Sequence, residues 1–396
     1  MPKPPQKSTP SGAARRSIAL LSAAAFVATA SLRVADPLLP QFAHEFGVSL
    51  GTASTVVTSS AMAYAVAQTF YGPVGDRFGK YRVVAITAFC SAISVAAAAL
   101  SPGLVSLALL RLLAGTTAAA IIPLSMAYIG DVVPFESRQP VLARFMSGQI
   151  LGILFGQAVG GMFADTLGWR AMFALLGALF MAIALLLWGE LRSPRVPPSP
   201  PVKVSWRGLP QRYFGLVGVP GVPRIFLTVT VEGCLFFGGF TFLGAYLRHR
   251  FDLPYSAVGG ILACFGIGGL VYSLTAPAVV RRLPEPQNVY VGGALLAISF
   301  AAFALLPAWW MLPPFVAIVG FGFYVVHNTL QNHATQMAPH ERGTALSVFA
   351  ALFYLGQAIG VGACGLMVDQ LGYRPMFLGI GCGLLALAVL FGRTGR

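Results

Sequence analysis

Apolar stretches long enough to cross a bilayer recur along the chain, each ended by a short break rich in charge, glycine or proline. They lie near 17–40, 51–71, 83–100, 104–128, 141–163 and 170–189, then 225–247, 256–279, 288–306, 312–334, 344–367 and 374–392. A crossing needs about 20 mostly apolar residues. Backbone inside lipid must satisfy its own hydrogen bonds, so the pattern predicts twelve helices and no open sheet. The expected fold class is all-α membrane protein. Arg15 and Arg16 precede the first run as in a signal peptide. That run exceeds the usual apolar core of such a signal, so it reads as an anchor retained as the first helix.

One break differs from the rest. Residues 191–223 hold eight prolines and five basic residues, a composition that cannot span a membrane and reads as a linker. It separates six spans from six, giving a tail at 1–16, a bundle at 17–190, the linker, and a second bundle at 224–396. Within the linker, Trp206, Tyr213 and Phe214 beside Arg207 and Arg212 either lie on an anionic leaflet or serve a plain tether. A constant offset of 204 aligns Pro73 with Pro277, Arg77 with Arg281, Arg138 with Arg342, Gly156 with Gly360 and Gly161 with Gly365. Its clearest match is DTLGWRAMF (165–173) with DQLGYRPMF (369–377). GQA at 156 and 356 would need an offset of 200, which breaks the later register. Two parallel repeats about an axis normal to the membrane are a plan of secondary transporters.

Composition agrees: 57% of residues are hydrophobic and only 10% charged, against about 25% charged in soluble domains. The net charge of +14 would suggest nucleic acid in a soluble protein. Here its placement reads as topology, with no nucleic-acid partner. With the N-terminus cytoplasmic, twenty lysines and arginines fall in cytoplasmic segments, and only Arg170, Arg248, Arg250 and Arg374 fall opposite. Both termini are therefore expected in the cytoplasm. Cys90, Cys234, Cys264, Cys364 and Cys382 all lie in apolar segments without a CxxC pair, so neither a disulfide framework nor a metal site is indicated. GVGACG (360–365) fits GxGxxG but has no preceding strand and reads as helix packing. No Walker loop or HExxH occurs, so neither an enzyme nor an ATP-driven pump is expected, and no cofactor is implied.

The break GPVGDRFGKYR (72–82) concentrates four charges, Asp76, Arg77, Lys80 and Arg82, in seven residues. Together with Gly72 and Gly79 they meet G-x-x-x-D-R-x-G-[RK]-x-[RK], and the stretch resembles the signature loop of the major facilitator superfamily. Twelve spans, the six-plus-six repeat and the linker extend that resemblance over nearly the whole chain. It implies alternating access by two pseudo-symmetric six-helix bundles, with this loop as a latch of the outward-facing state. Asp76 would then meet a helix terminus or basic group of the other half, while the glycines permit a tight turn and close backbone approach. The second-half copy has Val280 in place of the acid, so the two latches should be unequal. Arg111, Gly115 and Ala119 resemble the family's fourth-helix motif. Gly152, Gly156, Gly160 and Gly161 resemble the antiporters' glycine motif, with Gln157 where its proline belongs.

A charge at mid-membrane is costly and so suggests function. Arg33 and Asp36 share a helix face ahead of Pro37 and Pro40, and Arg111 and Glu232 lie in other spans. Resemblance to the drug:proton antiporter branch implies that Asp36 is the protonatable group, with Arg111 close by. Glu232 is a second candidate carrier, or else a wet residue near a helix end. A static Arg33–Asp36 ion pair is the plainer alternative. The polar run 327–336 makes His327, Asn328 and Gln331 candidate cavity residues, ahead of His333, and Tyr64, Gln68 and Gln149 are weaker ones. The expectation is a monomeric, proton-coupled exporter of small amphipathic compounds in a bacterial inner membrane. The alternative is a symporter or importer of a metabolite anion.

Overall fold

The computed structural model describes residues 12–192, 209–282, 284–338 and 342–394. The outer part of the tail and residues 193–208 of the linker, Trp206 and Arg207 included, lie outside that set. The described residues contain helices and no strand. In chain order they are α1 (Gly12–Arg33), α2 (Ala35–Phe46), α3 (Leu50–Ala53), α4 (Thr55–Phe78), α5 (Lys80–Ala98), α6 (Leu104–Ala118), α7 (Ile121–Val132), α8 (Phe135–Thr166) and α9 (Gly168–Leu191). A short α10 (Leu209–Val217) precedes α11 (Val222–Phe240), α12 (Leu243–Phe251), α13 (Tyr255–Arg282), α14 (Glu285–Leu305), α15 (Leu312–Gln336), α16 (Arg342–Leu371) and α17 (Tyr373–Thr394).

Eleven described stretches are long and apolar enough to cross a membrane, counting α1–α2, α6–α7 and α11–α12 as one bent span each. The twelfth expected span is α4, equally long but carrying Ser59, Ser60, Tyr64, Gln68 and Thr69 along its length. Proline explains two of the bends. Pro37 and Pro123 have no N–H to offer the carbonyls of Arg33 and Ala119 four residues earlier, and the helix breaks there in each case.

Two six-helix bundles result, α1–α9 and α11–α17. They meet where α8 packs on α13 and where α3 and α4 pack on α16. The offset of 204 reappears as matching close contacts. A Cβ on Gly152 would fall 2.2 Å from the Phe26 carbonyl of α1, and one on Gly356 2.0 Å from the Thr230 carbonyl of α11. Gly156 meets Ala30 as Gly360 meets Cys234, at 2.4 and 1.9 Å. Only glycine permits such backbone contact. Gly160 fits against Val34. Gly161 crosses to the other bundle, where its Cβ would fall 2.2 Å from the Tyr255 carbonyl.

The signature stretch 72–82 is a correction to the loop expected there. Its charges do not end the helix, because a helix can project beyond the hydrocarbon, and α4 continues to Phe78. The whole connection is Gly79, with φ of 90°, after which Lys80 opens α5. Gly79 makes the tight turn. Gly72 has open space where a side chain would sit, so the close approach expected of it is absent.

Candidate functional site

A cavity of about 910 Å³ separates the bundles and opens on the face that carries Gly79. Gly72, Asp76, Lys80 and Arg138 line its mouth, and Arg33 lies at its inner end. Tyr64, Gln68, Gln149, His327, Asn328 and Gln331 all line it. His333 does not line it and pairs with Glu285 instead. Aromatic rings form much of the wall: Phe237, Phe323, Tyr324, Phe353 and Tyr354 from the second bundle, and Tyr64 from the first. Tyr64 and Tyr354 meet across the bundles with ring centroids 4.1 Å apart.

Asp36 is fully buried one turn beyond Arg33, on the side away from the mouth. Its carboxylate has no hydrogen-bond donor at normal distance, although Gln157 and Thr241 face it. Gln157 thus stands beside the acid at the place where the motif's proline is missing. Arg33 Nη1 is 3.9 Å from Asp36 Oδ2, the outer limit of an ion pair. Its guanidinium turns instead to the other bundle. Nη2 donates to Gln357 Oε1 at 3.1 Å, and the group lies 3.5 Å from the centroid of the Phe237 ring. Arg33 and Asp36 thus form a buried ion pair at its outer limit, with the guanidinium shared with Gln357 and Phe237. Gln357 belongs to the GQA match set aside for its register, and lies one turn from Phe353.

Arg111 is buried near the same acid without reaching it. Its Nη1 donates to the Ser31 carbonyl at 2.9 Å, and its Nη2 to Ser60 Oγ at 3.3 Å. This leaves Asp36 between two guanidinium groups, each held by other partners.

Glu232 is not a wet residue at a helix end. It is fully buried, and its Oε2 lies 2.9 Å from Nδ1 of His327. The imidazole stacks on Phe323 at 5.1 Å and packs against Phe353 at 4.6 Å. The pair joins residues 95 positions apart, which no local spacing announces.

At the mouth, Asp76 does not reach the other bundle. It lies 3.7 Å from Lys80, whose Nζ is 2.6 Å from Asp131 of the same bundle. The cross-bundle contact expected of Asp76 is unmade where the cavity stands open on this face. Arg77 packs over Phe78, and Arg82 is exposed. Tyr213 of α10 is also a correction: instead of lying on a leaflet it lines the cavity and donates to the Thr69 carbonyl of α4. Phe214 beside it is exposed.

Comparison with known proteins agrees with this architecture. The uncharacterized MFS-type transporter YceJ of Bacillus subtilis is 24% identical over 335 residues, covering 85% of each chain. The multidrug export protein EmrB of Haemophilus influenzae is 27% identical over 173 residues, 44% of this chain and 34% of that one. The crystal structure of the nucleoside transporter NupG superposes with a TM-score of 0.80 at 17% identity, covering 96% of this chain and all of that one. The family profile described as Major Facilitator Superfamily matches residues 21–361. The chain belongs to that superfamily, a membrane transporter of small molecules and not an enzyme.

Proposed function

We propose that this transporter expels small amphipathic compounds from a bacterial cytoplasm in exchange for protons, as a monomer in the inner membrane. The basic face and both termini would be cytoplasmic, so the cavity stands open inward. The observation that carries the proton assignment is Asp36, buried with no hydrogen-bond donor on either oxygen while Arg33 is engaged across the bundle interface. An ionised carboxylate in that setting needs its guanidinium neighbours, and a neutral one does not. Rocking the bundles withdraws Gln357 and Phe237 from Arg33, because both belong to the other bundle. Arg33 is then free to close on Asp36 or to leave it, so proton capture and release follow the conformational state.

The aromatic wall suits a flat apolar body, and Gln68, Gln149, Asn328 and Gln331 suit its polar groups. EmrB's description as a multidrug exporter supports the same direction. Glu232 with His327 is the second proton carrier in this reading. An inward proton gains about 2.3 kcal/mol per 100 mV of membrane potential. The test is flux of a fluorescent amphipathic compound in proteoliposomes under an imposed pH gradient. Asp36→Asn should abolish gradient-driven flux and leave substrate exchange at zero gradient. Gradient-driven flux that persists unchanged in that variant refutes the assignment.

One observation favours symport of a metabolite anion instead: Arg33 Nη1, at the inner end of the cavity, has no hydrogen-bond acceptor. That reading requires carboxylate uptake along the proton gradient, and loss of binding in Arg33→Gln.

A further inference from the structure

The repeat DTLGWRAMF and DQLGYRPMF has no part in the cavity, yet it is the chain's longest internal match. On the face opposite the cavity mouth its two aspartates do the same thing. Asp165, at the end of α8, accepts from the backbone N–H of Tyr255 at 3.0 Å and of Ser256 at 2.7 Å, both in the other bundle. Asp369, at the end of α16, accepts from Ser49 Oγ at 2.6 Å and from the Gly51 N–H at 3.2 Å, again across the interface. Asp165 and Asp369 differ by 204, and so do their partners Gly51 and Tyr255. The contacts are therefore one interaction repeated about the pseudo-two-fold axis.

The rest of the motif anchors each clasp in its own bundle. The glycines that follow, Gly168 and Gly372, turn the chain with φ of 80° and 82°. Behind the first, Arg170 ties α9 to Glu45 of α2 and to the Ser101 carbonyl. Glycine brings the backbones together beneath both aspartates. A Cβ on Gly365 would lie 2.8 Å from the Gly51 Cα, and one on Gly161 2.2 Å from the Tyr255 carbonyl.

We infer that Asp165 and Asp369 are paired clasps that hold the outer face shut, the counterpart of the Asp76 contact that is unmade on the cavity face. The inference rests on the alternating-access reading above. To open outward, the end of α8 must leave the start of α13, and the end of α16 must leave the segment before α4. Each separation breaks the hydrogen bonds to one carboxylate, and neither can proceed alone if the bundles move as bodies. The contacts are exposed to water, which can replace them, so they bias the equilibrium without locking it.

The test follows one buried position behind the clasps and one on the cavity face, in full-length protein whose five native cysteines are replaced by alanine. Ser54→Cys lies behind the Asp369 clasp, where the native serine is 1% exposed. Ser347→Cys lines the cavity near its mouth, where the native hydroxyl donates to the Gln68 carbonyl at 3.0 Å. Rates of alkylation by a hydrophilic maleimide are compared in Asp165→Ala, Asp369→Ala and the double variant. Each loss should speed reaction at position 54 by roughly tenfold and slow it at position 347, with the double variant going furthest. Faster reaction at both positions would mean loosening of the fold and would overturn the proposal, as would no change at either. The assay involves neither substrate nor proton. A reciprocal response with flux unaffected by Asp36→Asn keeps the clasps and discards the proton assignment.

Discussion

Adding one methyl group at Gly360 tests the packing that makes each bundle a unit. A Cβ there would lie 1.9 Å from the Cys234 carbonyl oxygen, about 1.6 Å short of comfortable nonbonded separation. Neither neighbour can yield alone. The obstacle is backbone, and Gly356 one turn earlier stands equally tight against Thr230. Gly360→Ala must therefore push α16 away from α11 along their shared length. Overpacking costs about 1–3 kcal/mol, and a backbone obstacle belongs at the upper end of that range. The gain in helix propensity from glycine to alanine returns about 1 kcal/mol at most. A net loss of about 2 kcal/mol should lower the melting temperature in detergent by about 2–3 °C. Gly362→Ala is the control, with nothing within 4 Å of its added methyl group. It should melt at or above the parent. Equal melting of Gly360→Ala and Gly362→Ala would refute the claim that α11 and α16 are in backbone contact.

Two further predictions concern the cavity and the linker. Glu232→Gln and His327→Gln should each lower gradient-driven flux, and the double variant should fall little further than the more damaging single one, because the two side chains act as a pair. Flux unaltered in both variants would take the pair off the proton path. Tyr213→Phe should release α10 from α4 at a cost of about 0.5–1.5 kcal/mol and speed protease cleavage of the linker. Burial pushes the Tyr213 hydroxyl above its ordinary value, so it remains a donor as pH rises. The ratio of variant to parent cleavage should then be the same at pH 7 and pH 9, and a ratio of one would dismiss the contact.

Much of this molecule is legible in its sequence because membrane burial leaves a coarse record. Twelve apolar runs, charge asymmetry and the offset of 204 lead to the fold, and Gly152 and Gly356 show that register atom by atom. Arg33, Asp36 and Arg111 stand out because lipid tolerates few charges. What stays hidden is whatever depends on facing. Phe237 and Phe353 line the cavity, yet in an apolar helix they look like any lipid-facing phenylalanine. Glu232 and His327 reveal their bond only once α11 and α15 are placed side by side. Gln357 was visible in the GQA match, but a register that fits the repeat elsewhere excluded it. Charge near Asp76 reads as a loop because polarity marks exit from the hydrocarbon, not the end of a helix.

Glycine against glycine at 161 and 259, and again at 51 and 365, gives the two seams between the bundles a nearly smooth surface beneath Asp165 and Asp369. Interlocked side chains would have to unmesh before such a seam could shift. Bare backbone can slide or hinge with little prior disengagement. In the proposed rocking of the bundles, the outer part of each seam therefore offers little friction of its own, and what resists opening there is the contacts at its rim.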